Sequence, residues 1–199
     1  MNISKVIIDK DTVLKFLGYK NRKVPPFINK VIDEEIENIN EILDIEAHIN
    51  EIDTLNHSFL GQYIEKCLKE CEKSYAVVYT MGNKIEEKIL HCTNNNDMIR
   101  GMVLDKIGIV ALDFVGEEVK KYINKKNYPL KISNEIYPGD KDFEVKNQNH
   151  IYNYLNNTNI SINEYGQMTP IKSVGLIICL SSKCKEAVSR CDKCLNKCF

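Results

Sequence analysis

Residues 97–119 restrict the fold of this chain more than any other stretch. Val103, Ile107, Val110 and Phe114 form one row at helical spacing, and Leu104, Ala111, Val115 and Val119 form the next. Two adjacent apolar rows predict a long helix, opening near Asp97, packed broadly against a sheet. Gly101, Gly108 and Gly116 fall inside it. Each costs about 1 kcal/mol relative to Ala in a helix, and close approach of neighbouring backbones is the expected return.

The sheet has candidates on both sides of that helix. YAVVYTMG, closed by Gly82, is β-branched and aromatic enough for a central strand; LKISNEIYPG and SVGLIICLS follow later. Residues 6–8 predict a short strand, followed by a short helix begun at Asp11 or Thr12 and stopped by Gly18. Pro25 and Pro26 open a second helix reaching about Leu43. Weak alternation over residues 44–56 predicts a pair of short strands. The apolar spacing of residues 58–73 predicts a helix, as do residues 84–91 and 144–156. Helices and strands interspersed without regular βαβ alternation predict an α+β fold: one domain with a twisted, mostly antiparallel sheet flanked by helices.

A formal net charge of -1 gives no basic field that would draw the chain to nucleic acid. No apolar run reaches the roughly 20 residues that span a bilayer. The N-terminus is broken by charges and lacks the apolar segment of a signal peptide, so a cytoplasmic location is the expectation. A glycine-rich phosphate loop, a nucleophile elbow and an HExxH helix are all missing from the sequence, which removes the standard kinase and hydrolase readings.

The turn Tyr137-Pro138-Gly139-Asp140 is the candidate site for chemistry. Pro138 fixes φ and Gly139 permits a positive φ, so the backbone can turn sharply and present amides to a ligand. From here YPGDKDFEVKNQNHIYNYL and INEYGQMTPIKSVGLII run on. Together they resemble the C-terminal signature of the reactivation domain of cobalamin-dependent methionine synthase: a Pro-Gly turn, a short Gln-bearing helix, a Met-x-Pro segment, then Lys-Ser-Val. Pro138, Gly139, Asp142, Phe143, Gln148, Ile151, Met168, Pro170, Lys172, Ser173, Val174 and Gly175 fit that pattern. VLKFLGYK, YAVVYTMG and GIVALDFVGEEV resemble upstream pieces of short, stand-alone members, so the likeness spans nearly the whole chain.

The resemblance implies a module that binds S-adenosylmethionine and presents its methyl group while docked on a cobalamin-carrying partner, either a methionine synthase or a related corrinoid protein. A flavodoxin-type donor supplies the electron. On this reading the chain is an accessory component, competent only with its partner. The implied ligand region takes in Asp113 from the long helix (or Glu117, one turn on), with Glu135, Tyr137, Gly139 and Asp140. Glu135 stands where the family places an Arg for the ligand carboxylate, and Asp140 where it places a Tyr. Lys131 or Lys141 could supply the missing positive charge, or the ligand's cationic groups could turn to Glu135.

Residues 184–199 read as a separate cysteine-rich tail behind a body of residues 1–183. Cys184, Cys191, Cys194 and Cys198 place four thiols within fifteen residues, enough for tetrahedral zinc or an iron–sulfur cluster. An alternative function follows: a metal or iron–sulfur redox and docking protein for a corrinoid partner that does not bind S-adenosylmethionine. His91 beside Cys92 is read as packing or surface.

Overall fold

The computed structural model describes residue 1 and residues 3–53, 61–155 and 158–183. In chain order the elements are α1 (Lys10–Phe16), α2 (Pro26–Ile42), β1 (Glu46–Ile52), α3 (Gln62–Glu70), β2 (Lys73–Thr80), α4 (Lys84–Asn94) and α5 (Met98–Lys126). They continue with β3 (Lys131–Ile136), a 3-10 turn at Val145–Asn147, α6 (Gln148–Tyr152), β4 (Ser161–Ile162), β5 (Met168–Thr169) and β6 (Ser173–Ser181). Four strands form an antiparallel sheet in the order β1-β2-β6-β3, and β4 with β5 makes a separate ribbon. The expected α+β class and mostly antiparallel sheet are therefore observed.

The two central strands are apolar at almost every position because both sheet faces are covered. Tyr75, Val77 and Tyr79 of β2, with Leu176, Ile178 and Leu180 of β6, point toward α1, α2, α4 and α5. Ala76, Val78, Ile177 and Cys179 point the other way, into a second core with Ile64, Cys67, Phe143 and Ile151. The two apolar rows of α5 supply the first core: Val103, Leu104, Ile107, Val110, Ala111, Val115, Val119 and Ile123 are buried. Asp97 caps that helix by accepting from the Arg100 amide.

Four sequence expectations change. Residues 6–8 are extended but form no strand; the amide of Asn40 takes the place of a strand partner, accepting from Val6 N–H at 2.8 Å and donating to its carbonyl at 3.1 Å. Among the described part of residues 44–56 there is one strand, β1, paired only to β2. The helix expected over 144–156 shrinks to a 3-10 turn and α6, in a segment crowded with asparagines that prefer turns.

The fourth change concerns the α5 glycines, which make room mainly for side chains rather than backbones. A Cβ on Gly108 would stand 2.5 Å from Lys172 Cδ, and one on Gly116 would stand 2.7 Å from the Tyr79 hydroxyl. Lys172 is 8% exposed and threads over Gly108 to reach Asp105 at 2.7 Å. Among the described residues no helix is long and apolar enough to cross a membrane.

Candidate functional site

The bend after β3 is built largely from its own bonds. Gly139 has φ +94, a conformation that L side chains avoid, and a Cβ there would meet nothing closer than 3.7 Å, so glycine is needed for its backbone rather than for space. Asp140 accepts from Tyr137 N–H at 2.9 Å through its carboxylate, and its own N–H donates to the Tyr137 carbonyl at 2.9 Å. Gly139 N–H donates to the Phe143 carbonyl at 2.7 Å, and Phe143 is fully buried. The amides expected to face a ligand are thus used within the turn. Asp140 organises that turn, as Asx residues do.

Two features converge on Tyr137. On one side it lines, with Pro138, Gln148, Met168, Ser173 and Gly175, a cleft of ≈ 590 Å³ at the end of the sheet. This lies within the roughly 300–1,000 Å³ of small-molecule sites. Gly175 matters here for space: a Cβ would come within 3.1 Å of Met168 Cε and 3.3 Å of Gln148 Oε1. Gln148 in turn donates to the Gly166 carbonyl at 2.6 Å, and Ser173 donates to the Pro170 carbonyl at 2.6 Å, which fixes the loop forming the far wall.

On its other side the Tyr137 hydroxyl donates to Glu135 Oε2 at 2.9 Å. The Glu135 side chain is 9% exposed and pairs with Lys120 of α5 at 3.3 Å; Lys120 also meets Glu117 at 2.6 Å. Burial alone would lower the Lys120 pKa, but Glu117 and Glu135 outweigh it and hold the ammonium above its ordinary range. Asp113, one turn before Glu117, is raised above the usual carboxylate range, first by lost hydration and then by Glu117, with Lys120 opposing. It is an exposed residue at the edge of α5 rather than a core position.

Tyr79 completes this cluster from β2. Its ring is buried, 5% exposed, and its hydroxyl lies against Gly116. Burial raises its pKa most, followed by Asp113, Glu135 and Glu117. Among the described residues the hydroxyl makes no hydrogen bond.

The structure therefore brings together Glu135, Tyr137 and Asp140 by direct bonds and sets Asp113 in the same electrostatic cluster, with Gly139 at the bend. Lys131 and Lys141 do not join them. Lys131 is exposed at the opposite end of β3, and the Lys141 ammonium sits 3.5 Å over the Tyr63 ring. The local cation is Lys120, which sequence reasoning missed. Its signal was present: Asp113, Glu117 and Lys120 fall on one helical face at successive turns. Tyr79 was missed because an inward tyrosine in an apolar strand reads as core. Cys184, Cys191, Cys194 and Cys198 lie outside the described residues, and among the described residues no three His, Cys, Asp or Glu side chains group as metal ligands.

No protein-family model matches the chain, and no curated protein sequence matches it. Solved structures do. The crystal structure of the MetH reactivation domain bound to AdoHcy is similar over 90% of this chain and 75% of that chain, with a TM-score of 0.62 at 11% sequence identity. At that identity the likeness establishes a shared fold.

Proposed function

We propose that this protein is a stand-alone reactivation module that binds S-adenosylmethionine and presents its methyl group to a cobalamin-dependent methionine synthase or related corrinoid methyltransferase. The reading rests on one observation above the others. Tyr137 joins a cleft of ligand size to the carboxylate cluster of Asp113, Glu117 and Glu135. Against Lys120 those three carboxylates leave a local charge of −2 (three negative, one positive), suited to a ligand carrying a sulfonium and an ammonium. Gly139 and Asp140 shape the bend that holds Tyr137 in place. Lys120 is the cation within reach for the ligand carboxylate, where the resemblance implies an Arg. The similar MetH structure was crystallised with AdoHcy, which fits a ligand of this class.

In this role the chain positions rather than reacts. The corrin belongs to the partner, and a flavodoxin-type donor supplies the electron. The same proposal gives Cys184, Cys191, Cys194 and Cys198 a zinc ion or an iron–sulfur cluster, with a cytoplasmic site of action. An absorbance band near 400 nm after anaerobic purification would select the cluster.

A second reading has its own observation. The bend amides, Glu135 and Lys120 already have partners within the fold, which suits a docking scaffold that binds the corrinoid protein without the ligand. Calorimetric titration with S-adenosylmethionine separates the two. Saturable heat is expected, and Tyr137→Phe should weaken binding roughly fivefold, the loss of one hydrogen bond of about 1 kcal/mol. No heat at millimolar ligand, with or without the corrinoid partner, leaves the scaffold.

A further inference from the structure

Three cysteines gather on the sheet face opposite α5, in the second core. Cys67 lies on α3, Cys71 is the residue that ends that helix, and Cys179 lies on β6, facing the same core. The corner is tied down: Glu72 N–H donates to the Leu180 carbonyl at 2.8 Å, which brings the end of α3 alongside the second half of β6. There Cys71 and Cys179 pack into the same core.

We propose that Cys71 and Cys179 form a redox-active dithiol that a peroxide closes to a disulfide. Accessibility divides the roles. Cys179 is 0% exposed, whereas Cys71 is half-buried and open to a small oxidant. The bonding divides them again. Cys71 Sγ–H donates to the Leu68 carbonyl at 3.3 Å. The neighbouring Cys179 thiol does most to hold Cys71 below the ordinary thiol range, against the cost of burial, which makes its thiolate the easier of the two to form. Cys179 is pushed upward by its bond to Cys71 and by burial, and so stays a thiol until it is needed. Cys92 provides the contrast. It is buried with no thiol beside it among the described residues, and burial above all raises its pKa, as for a cysteine acting only as a small hydrophobe.

The step balances with one hydrogen peroxide. Cys71 thiolate attacks a peroxide oxygen; the O–O bond breaks, and the departing hydroxide takes a proton and leaves as water. The sulfenic acid left on Cys71 is then attacked by Cys179 sulfur. The S–S bond forms, the S–O bond breaks, and the second water carries away the thiol proton. Two thiols lose two electrons in all, and the peroxide gains them. The product ties the end of α3 to a central strand.

The full chain tests this, reduced, exposed to hydrogen peroxide, then denatured and alkylated for peptide mapping. The expected result is a linked peptide pair holding Cys71 and Cys179, about two mass units below the sum of the thiols and restored by dithiothreitol. The linkage should persist when Cys184, Cys191, Cys194 and Cys198 are all replaced by Ser. A dimedone pulse early in the reaction should label Cys71 and leave Cys179 and Cys92 unlabelled, with no substitution required. Cys179→Ala should prolong that label several-fold. Alkylation of both Cys71 and Cys179 after a peroxide dose that oxidises the tail, or a Cys67–Cys71 link in their place, overturns the proposal.

Discussion

Near its start α5 sends Arg100 into one charged cluster, and farther along the same helix carries Asp113, Glu117 and Lys120 in another. In the first, Arg100 meets Asp97 at 3.1 Å, Glu34 at 2.8 Å and Glu35, while Lys88 meets Glu35 at 2.5 Å and Lys30 meets Glu34 at 3.8 Å. Three carboxylates face three cations, and Glu35, only 3% exposed, is bonded through both oxygens. In the second, three carboxylates share Lys120 and a buried phenol lacks a hydrogen-bond partner among the described residues. A closed network fastens α2, α4 and α5 together. An open one keeps residual potential and bonding capacity that something outside the fold can use.

The largest effect should come from opening the closed cluster. Arg100→Ala removes the guanidinium from a buried carboxylate and leaves Glu35 with Lys88 alone. Losing one partner of a buried pair costs about 3 kcal/mol or more. Urea unfolding should show that loss with S-adenosylmethionine affinity unchanged, since this cluster lies away from the cleft. A variant with wild-type stability would mean the network is only a surface ornament, and the contrast would fail.

Tyr79→Phe should act in the opposite direction at the open cluster. Deleting a buried hydroxyl that has no partner removes a desolvation cost, so the variant should gain about 1 kcal/mol. If that hydroxyl serves a bound ligand, affinity falls while stability rises. A loss of stability instead would show that the phenol is already bonded, and the cluster would then be closed as well.

The part of this architecture that sequence could carry was set by apolar density. The rows of α5 and the unbroken runs of β2 and β6 are legible because burial on a broad face demands them, and they give class and sheet directly. Residues 6–8 misled because Val6 and Ile8 are as buried as strand residues, yet a side-chain amide from Asn40 takes the partner's place. The bend of residues 137–140 was legible through its Pro-Gly pair. The destination of its amides was not, because that depends on Phe143 being anchored in the second core. The glycines of α5 signalled crowding correctly but could not say that Lys172 and Tyr79, distant in sequence, would fill the space. Pairings between elements decided the site, and periodicity within one element does not report them.

The smallest stability effect, and the most telling about function, belongs to Asp113. Its pKa in the fold stands above the usual carboxylate range, so the native state favours the protonated form and the carboxylate costs stability. That relative advantage is present at acid pH and declines as pH rises through the raised value, then stays flat toward neutrality. Asp113→Asn cannot ionise. It should therefore gain stability at about pH 7, by roughly half a kcal/mol or less once solvent screening is allowed for, with the gain vanishing in acid. Ligand affinity should move the other way, falling in the variant at neutral pH and falling in the unsubstituted chain as acid protonates Asp113. Denaturant unfolding and calorimetry across the same pH series measure both. A neutralised Asp113 that left stability and affinity unaltered would make this carboxylate an ordinary solvated charge.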